Sequence, residues 1–166
     1  MLRVEIGDLE RGPVEISGSV AVDDPVLEDV GFELAEAVAV SGRVSMVTLG
    51  RFFWRGRLVT EVRGLCRRCL AATSASVDAA VAVMFAEGKD PDDPSQYAIG
   101  PGAIELDEAV REELILATGP YLLCREDCKG LCAGCGTDLN KRSCDCQPPT
   151  DLRWAGLQAM KTEFEE

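Results

Sequence analysis

Six of the eight cysteines in this chain of 166 residues fall between Cys124 and Cys146, in the run CREDCKGLCAGCGTDLNKRSCDC. Such a segment has too few apolar side chains to bury a core of its own, so a cross-link must order it. Disulfides supply one kind of cross-link, and thiolates around a tetrahedral metal supply the other. The turn Cys132-Ala133-Gly134-Cys135-Gly136 favours metal. Two thiolates separated by two residues reach one Zn²⁺ at about 2.3 Å each, and the following glycine lets the backbone fold beneath the sulfurs. Cys144 and Cys146 offer two more ligands close by.

The remaining pair, Cys66 and Cys69, has the same two-residue spacing. Eight thiols make two sets of four. One partition places Cys132, Cys135, Cys144 and Cys146 around one Zn²⁺ and Cys66, Cys69, Cys124 and Cys128 around another. The competing partition joins Cys66 and Cys69 to Cys132 and Cys135, as two knuckles of one ribbon. A simpler alternative loads only one set and leaves the other Cys-x-x-Cys as a free pair. Both full partitions predict two zinc ions in closed all-cysteine sites. A catalytic zinc usually keeps an open position and a nearby general base. The chain has no histidine, so no imidazole is present to act as base or ligand. The expected role of the metal is therefore scaffolding, and the chain is not expected to be an enzyme.

The second candidate is Arg51-Phe52-Phe53-Trp54-Arg55-Gly56-Arg57. Guanidinium groups make bidentate phosphate contacts, and rings stack on unpaired bases. The formal net charge is −12, yet six arginines and one acid, Glu61, lie between Arg51 and Arg68. Charge distribution, more than the total, decides where a polyanion docks. Arg55, Arg57, Arg67 and Arg68 are the expected nucleic-acid contacts, with Arg125, Lys129, Lys141 and Arg142 as extensions. On residues alone this weighs evenly against a plainer outcome, in which the rings enter the core and the arginines are solvated or paired with carboxylates. No phosphate loop, dinucleotide fingerprint or nucleophile elbow is present.

The elements that must position these residues read as an α+β protein. Residues 14–19 alternate as a short strand, and residues 38–46 as a longer one, with Gly42 a candidate bulge. Trp54, Leu58 and Val62 alternate with Arg55, Arg57, Glu61 and Arg63, and the strand runs into Cys66-Arg67-Arg68-Cys69. Val77, Ala79, Val81, Val83 and Phe85 follow on one face, so the Cys-x-x-Cys turn should tip a hairpin. The most economical sheet is antiparallel with one face buried. Met46 and Met84 read as core. Residues 86–103 read as a flexible loop, dividing a β-rich region of residues 1–85 from residues 104–166. There Leu106, Val110, Leu114 and Ala117 share a helical face, with Asp107 as N-cap and Gly119-Pro120 as stop. A short C-terminal helix is expected from about Asp151. The N-terminus does not read as a secretory signal, and no run of apolar residues is long enough to span a bilayer. A reducing cytoplasm is the expected compartment, where clustered cysteines bind metal more often than they pair.

Together GLCRRCL, DEAVREELILA, PYLLCREDCKGLCAGCGTDLNKRSCDC and DLRWAGLQ resemble the YceD family over about residues 40–160. The resemblance implies a non-enzymatic ribosome-biogenesis factor supporting accumulation and processing of large-subunit ribosomal RNA. Its expected partner is rRNA or a basic large-subunit ribosomal protein, with no membrane or small-molecule substrate. Two other roles fit the residues: an acidic chaperone for such a ribosomal protein, and a thiol-based redox switch that releases zinc on oxidation.

Overall fold

A computed structural model describes residues 2–88 and 96–146. The described chain forms two compact units, Met1–Gly64 with Ala72–Leu122, and Leu65–Ala71 with Leu123–Glu166. The helical segment thus groups with the sheet, whereas the Cys66–Cys69 turn groups with the cysteine-rich run.

The first unit is mostly β-structure. After β1 (Arg3–Glu5) and a single helical turn α1 (Ile6–Leu9) come β2 (Val14–Val20), β3 (Glu33–Leu34), β4 (Val38–Thr48), β5 (Arg51–Leu65), β6 (Ala72–Ala86), β7 (Gln96–Ala98) and β8 (Ala103–Glu105). One sheet runs β2-β4-β5-β6-β7, with β3 also on β5. β1 and β8 form a separate antiparallel pair. The large sheet is not purely antiparallel, because β7 pairs with β6 in parallel. Helix α2 (Asp107–Thr118) is the one helix longer than two turns among the described residues, so the α component is smaller than expected.

Period-two patterning places the core. Val38, Val40 and Val44 of β4, Phe52, Trp54, Leu58 and Val62 of β5, and Val81, Val83 and Phe85 of β6 are all buried. Leu106, Ala109, Val110 and Leu114 bury one stripe of α2. Ala117, expected on that stripe, is exposed. Met46 is also no core residue, being 40% exposed near the β4–β5 turn. Asp107 lies within the helix and does not cap it: Leu106 is the N-cap, and Asp107 Oδ1 accepts a hydrogen bond of 3.1 Å from the Leu2 amide. Gly119 ends the helix with φ +70°, as the sequence indicates.

Gly42 is not a bulge. It stands in register opposite Gly56, and the ladder irregularity falls later, between Met46 and Thr48. The Gly42–Gly56 pair makes room for the Trp54 indole. A Cβ at Gly42 would lie 2.8 Å from Trp54 Nε1, and one at Gly56 would lie 2.5 Å from it.

Residues 86–103 contain more order than a loop, since they hold β7 and the start of β8. Residues 89–95 of that segment and the expected C-terminal helix lie outside the described residues. No helix among the described residues is long and apolar enough to cross a membrane.

Candidate metal centre

All eight cysteines belong to the second unit and stand as free thiols in two tetrads. Cys66, Cys69, Cys124 and Cys128 form one; Cys132, Cys135, Cys144 and Cys146 form the other. Within each, the sulfurs all lie within 4.8 Å of one another. This is the first partition drawn from the sequence, and the ribbon joining Cys66 and Cys69 to Cys132 and Cys135 does not form.

The spacing fits a metal. A tetrahedron with metal–sulfur bonds of about 2.3 Å has edges of roughly 3.8 Å. Cys66 Sγ lies 3.8 Å from Cys128 Sγ, and Cys69 Sγ 3.7 Å from Cys124 Sγ. Disulfide sulfurs would sit about 2.05 Å apart.

Both Cys-x-x-Cys turns are built alike. The Cys66 amide donates to Ala71 O and the Leu70 amide to Cys66 O; equivalently, Cys132 N donates to Thr137 O and Gly136 N to Cys132 O. The residue after the second cysteine is left-handed in each, Leu70 at φ +59° and Gly136 at φ +71°. Glycine adopts that conformation freely, but a leucine is strained in it. Leu70 is 59% exposed, so its side chain has little packing to lose. Leu70→Gly is expected to stabilise the unit by about 0.5–1 kcal/mol, read as a raised thermal midpoint of the metal-loaded protein. An unchanged or lowered midpoint would show that the knuckle tolerates leucine without strain.

Asn140, which carries no Cys-like signature in the sequence, braces the Cys128 corner of the first tetrad against the Asp138 turn. Its Nδ2 lies 3.5 Å from Cys128 Sγ and donates to Asp138 Oδ1 at 2.8 Å. Its Oδ1 accepts from the Lys129 amide at 2.8 Å and from Arg125 Nη2 at 2.7 Å. The Asn140 amide and side chain together hold the Asp138 carboxyl below the usual carboxylate range. Such outer partners orient ligands, and losing one typically lowers metal affinity about 10–100-fold. Asn140→Leu is expected to weaken the Cys66 tetrad by that factor in a chelator competition, with the Cys132 tetrad less affected.

Local hydrogen bonds prepare some thiolates, while burial or neighbouring sulfurs oppose others. Backbone amides of Cys124 and Cys69 lower the Cys66 thiol to about 6. The Thr137 hydroxyl, 3.1 Å away, and the Thr137 amide lower Cys135 to about 6. Desolvation pushes Cys124 up to about 12, and the neighbouring Cys135 and Cys132 sulfurs push Cys146 up to about 12. Each tetrad therefore offers an incoming cation at least one thiolate near neutral pH, and coordination would drive protons from the rest. Because Cys66 and Cys135 are lowered, the benefit of their ionisation is present above the unfolded thiol value and is lost as pH falls through about 6. Metal occupancy, followed with a chromophoric chelator, is expected to fall steeply between about pH 7 and 5. Release that is flat across this window would contradict thiolate ligation.

The four arginines named from the sequence divide between the units: Arg55 and Arg57 in the first, Arg67 and Arg68 in the second. Arg57 makes a bidentate pair with Asp78, which raises the guanidinium and lowers the carboxyl. Arg55 lies over the Phe53 ring, 5.9 Å from its centroid. Arg68 Nη1 donates to Glu126 O at 2.8 Å and Cys128 O at 3.0 Å, fastening the Cys66 turn to the Cys128 turn. Its own carbonyl accepts from the Leu131 amide, and a Cβ at Gly130, where φ is +76°, would lie 2.9 Å from that oxygen. Reversing Arg68 would thus disturb the tetrad itself.

The family profile described as "Large ribosomal RNA subunit accumulation protein YceD" matches residues 54–161. Uncharacterized proteins of Mycobacterium tuberculosis (strain H37Rv) and Mycobacterium bovis are each 28% identical over 166 residues, covering 94% of this chain and 73% of theirs. No solved structure matches the chain.

Proposed function

The chain belongs to the YceD family of large ribosomal RNA subunit accumulation proteins, and we propose on that premise that it is a zinc-stabilised ribosome-biogenesis factor acting by binding. The observation that carries the metal half of this reading is the pair of closed four-thiol clusters. An all-sulfur donor set suits Zn²⁺, which holds structure without redox chemistry and, with four protein ligands, keeps no open position for a substrate. The two ions would be held by Cys66, Cys69, Cys124 and Cys128, and by Cys132, Cys135, Cys144 and Cys146.

The binding half rests on the family and on the arginine-rich stretch. Arg55, Arg57, Arg67 and Arg68 are proposed as contacts for large-subunit rRNA in the cytoplasm, with Arg57 first having to leave Asp78. Affinity purification of the tagged chain from cells, followed by sequencing of bound RNA and identification of bound proteins, tests this. Large-subunit rRNA precursors in excess of other RNA support it. Recovery of one basic ribosomal protein without rRNA favours the second reading, an acidic chaperone. That reading draws on the net charge of −12 and the carboxylates Glu108, Glu112 and Glu113 of α2.

A further inference from the structure

On the solvent face of the sheet, Arg43 of β4 stands directly opposite Arg55 of β5, and Ser45 directly opposite Phe53. These four side chains line a shallow depression of about 380 Å³. Like charges directly opposed across a ladder destabilise the pairing. Elsewhere this sheet removes such a charge: Arg57, opposite Ser41, is clamped by Asp78. At Arg43–Arg55 only Glu15 intervenes, bound to Arg43. Arg55 has no carboxylate partner among the described residues. Its guanidinium leans on the half-buried Phe53 ring. The adjacent strand β6 presents the exposed short side chains Ala80 and Ala82 on this face, so nothing bulky covers the depression from that side.

A ligand relieving this arrangement must bring negative charge for Arg55, and for Arg43 once it exchanges Glu15 for the ligand, together with a flat apolar surface for a ring. An acidic peptide supplies only the first, whereas a nucleotide chain supplies both. We propose that the Arg43–Arg55–Phe53 depression binds single-stranded RNA, with the two arginines on phosphates and a base stacked against the Phe53–Arg55 pair. The choice of RNA rests on the rRNA-linked reading above. The site itself rests on the cross-strand register.

Fluorescence anisotropy of the metal-loaded full chain with a labelled oligouridylate of about 12 nucleotides tests it. Two phosphate contacts predict a slope of log affinity against log salt near −1.4, and Arg43→Ala and Arg55→Ala should each reduce its magnitude by about 0.7. Phe53→Leu keeps apolar volume but removes the ring, and should weaken binding on the order of tenfold; Phe53→Tyr should retain it. Arg11→Ala removes the same charge at a residue that does not line the depression and should change neither. Thermal midpoints of the variants separate loss of binding from loss of fold. If the parent binds and the Arg55 and Phe53 variants bind equally well, the depression is not the site, while the rRNA reading stands. If polyglutamate displaces the RNA and Phe53→Leu is without effect, the face is an acidic-peptide site and the proposal fails. A parent that binds no single-stranded RNA also overturns it, and the rRNA recovered with the tagged chain from cells then decides the broader reading separately.

Discussion

A strong chelator is expected to unfold the second unit and leave the first folded. Among the described residues of the second unit, only Cys66, Cys128 and Gly130 are buried. These described residues offer no hydrocarbon core to take over once a metal is removed. The exposed Leu65 and Leu70 add nothing to one. Structural zinc contributes on the order of 10 kcal/mol in modules of this kind, far more than the local hydrogen bonds around the knuckles. The first unit has its own cluster, from Val4 to Leu114, and does not depend on the ions. Limited proteolysis after chelation should therefore cut within residues 123–146 and spare β4 to β6. Cys132→Ser should reproduce the loss at one tetrad, with about one equivalent of zinc remaining by elemental analysis. A cleavage pattern indifferent to chelation would mean that the thiols are not the source of order.

Gly42→Ala carries the largest expected effect in the first unit. The new Cβ would fall 2.4 Å from Arg55 O and 2.5 Å from Gly56 Cα, both backbone atoms that cannot swing away. The φ of +146° at Gly42 is also costly for any residue with a side chain. Overpacking of about 1–3 kcal/mol and a backbone penalty of similar size together predict roughly 4 kcal/mol. The Trp54 indole, fully buried with no partner for its N–H among the described residues, leaves no slack above the pair. The check is urea unfolding at constant m-value. A loss below about 1 kcal/mol would show that the strands separate easily at this point.

The outcome at Gly42 shows what the sequence does and does not reveal. Alternation located β4, β5 and β6 and put Arg55, Arg57 and Arg63 on the solvent face, because one buried face imposes a period of two. It could not tell a bulge from a close approach, since that depends on which residue the neighbouring strand brings opposite. Cysteine spacing likewise identified the knuckles but left the partition open. Two-residue spacing is local, whereas the sharing of one metal depends on where the chain returns after α2. β7 and β8 were missed because three residues are too few to show a period. The engagement of Arg68 was illegible for another reason: its acceptors are backbone carbonyls, which have no letter in the sequence. Asn140 had a faint signal, an Asn two residues after Asp138 in a turn, with nothing to connect it to a sulfur.

The tetrad formed by Cys66, Cys69, Cys124 and Cys128 also has a history in time. Cys69 and Cys124 are 55 residues apart. At about 5–20 residues per second, the leading half of that site leaves the ribosome roughly 3–11 s before its partner half is made. During this interval Cys66 and Cys69 are a bare dithiol on a nascent hairpin, able to hold a cation by two bonds but not to enclose it. The other tetrad is local and closes almost as soon as it is translated. The two tetrads of one finished protein would thus take up metal under different rules. One depends on the metal available at the moment of synthesis, and the other on how well a waiting pair of thiols is kept reduced.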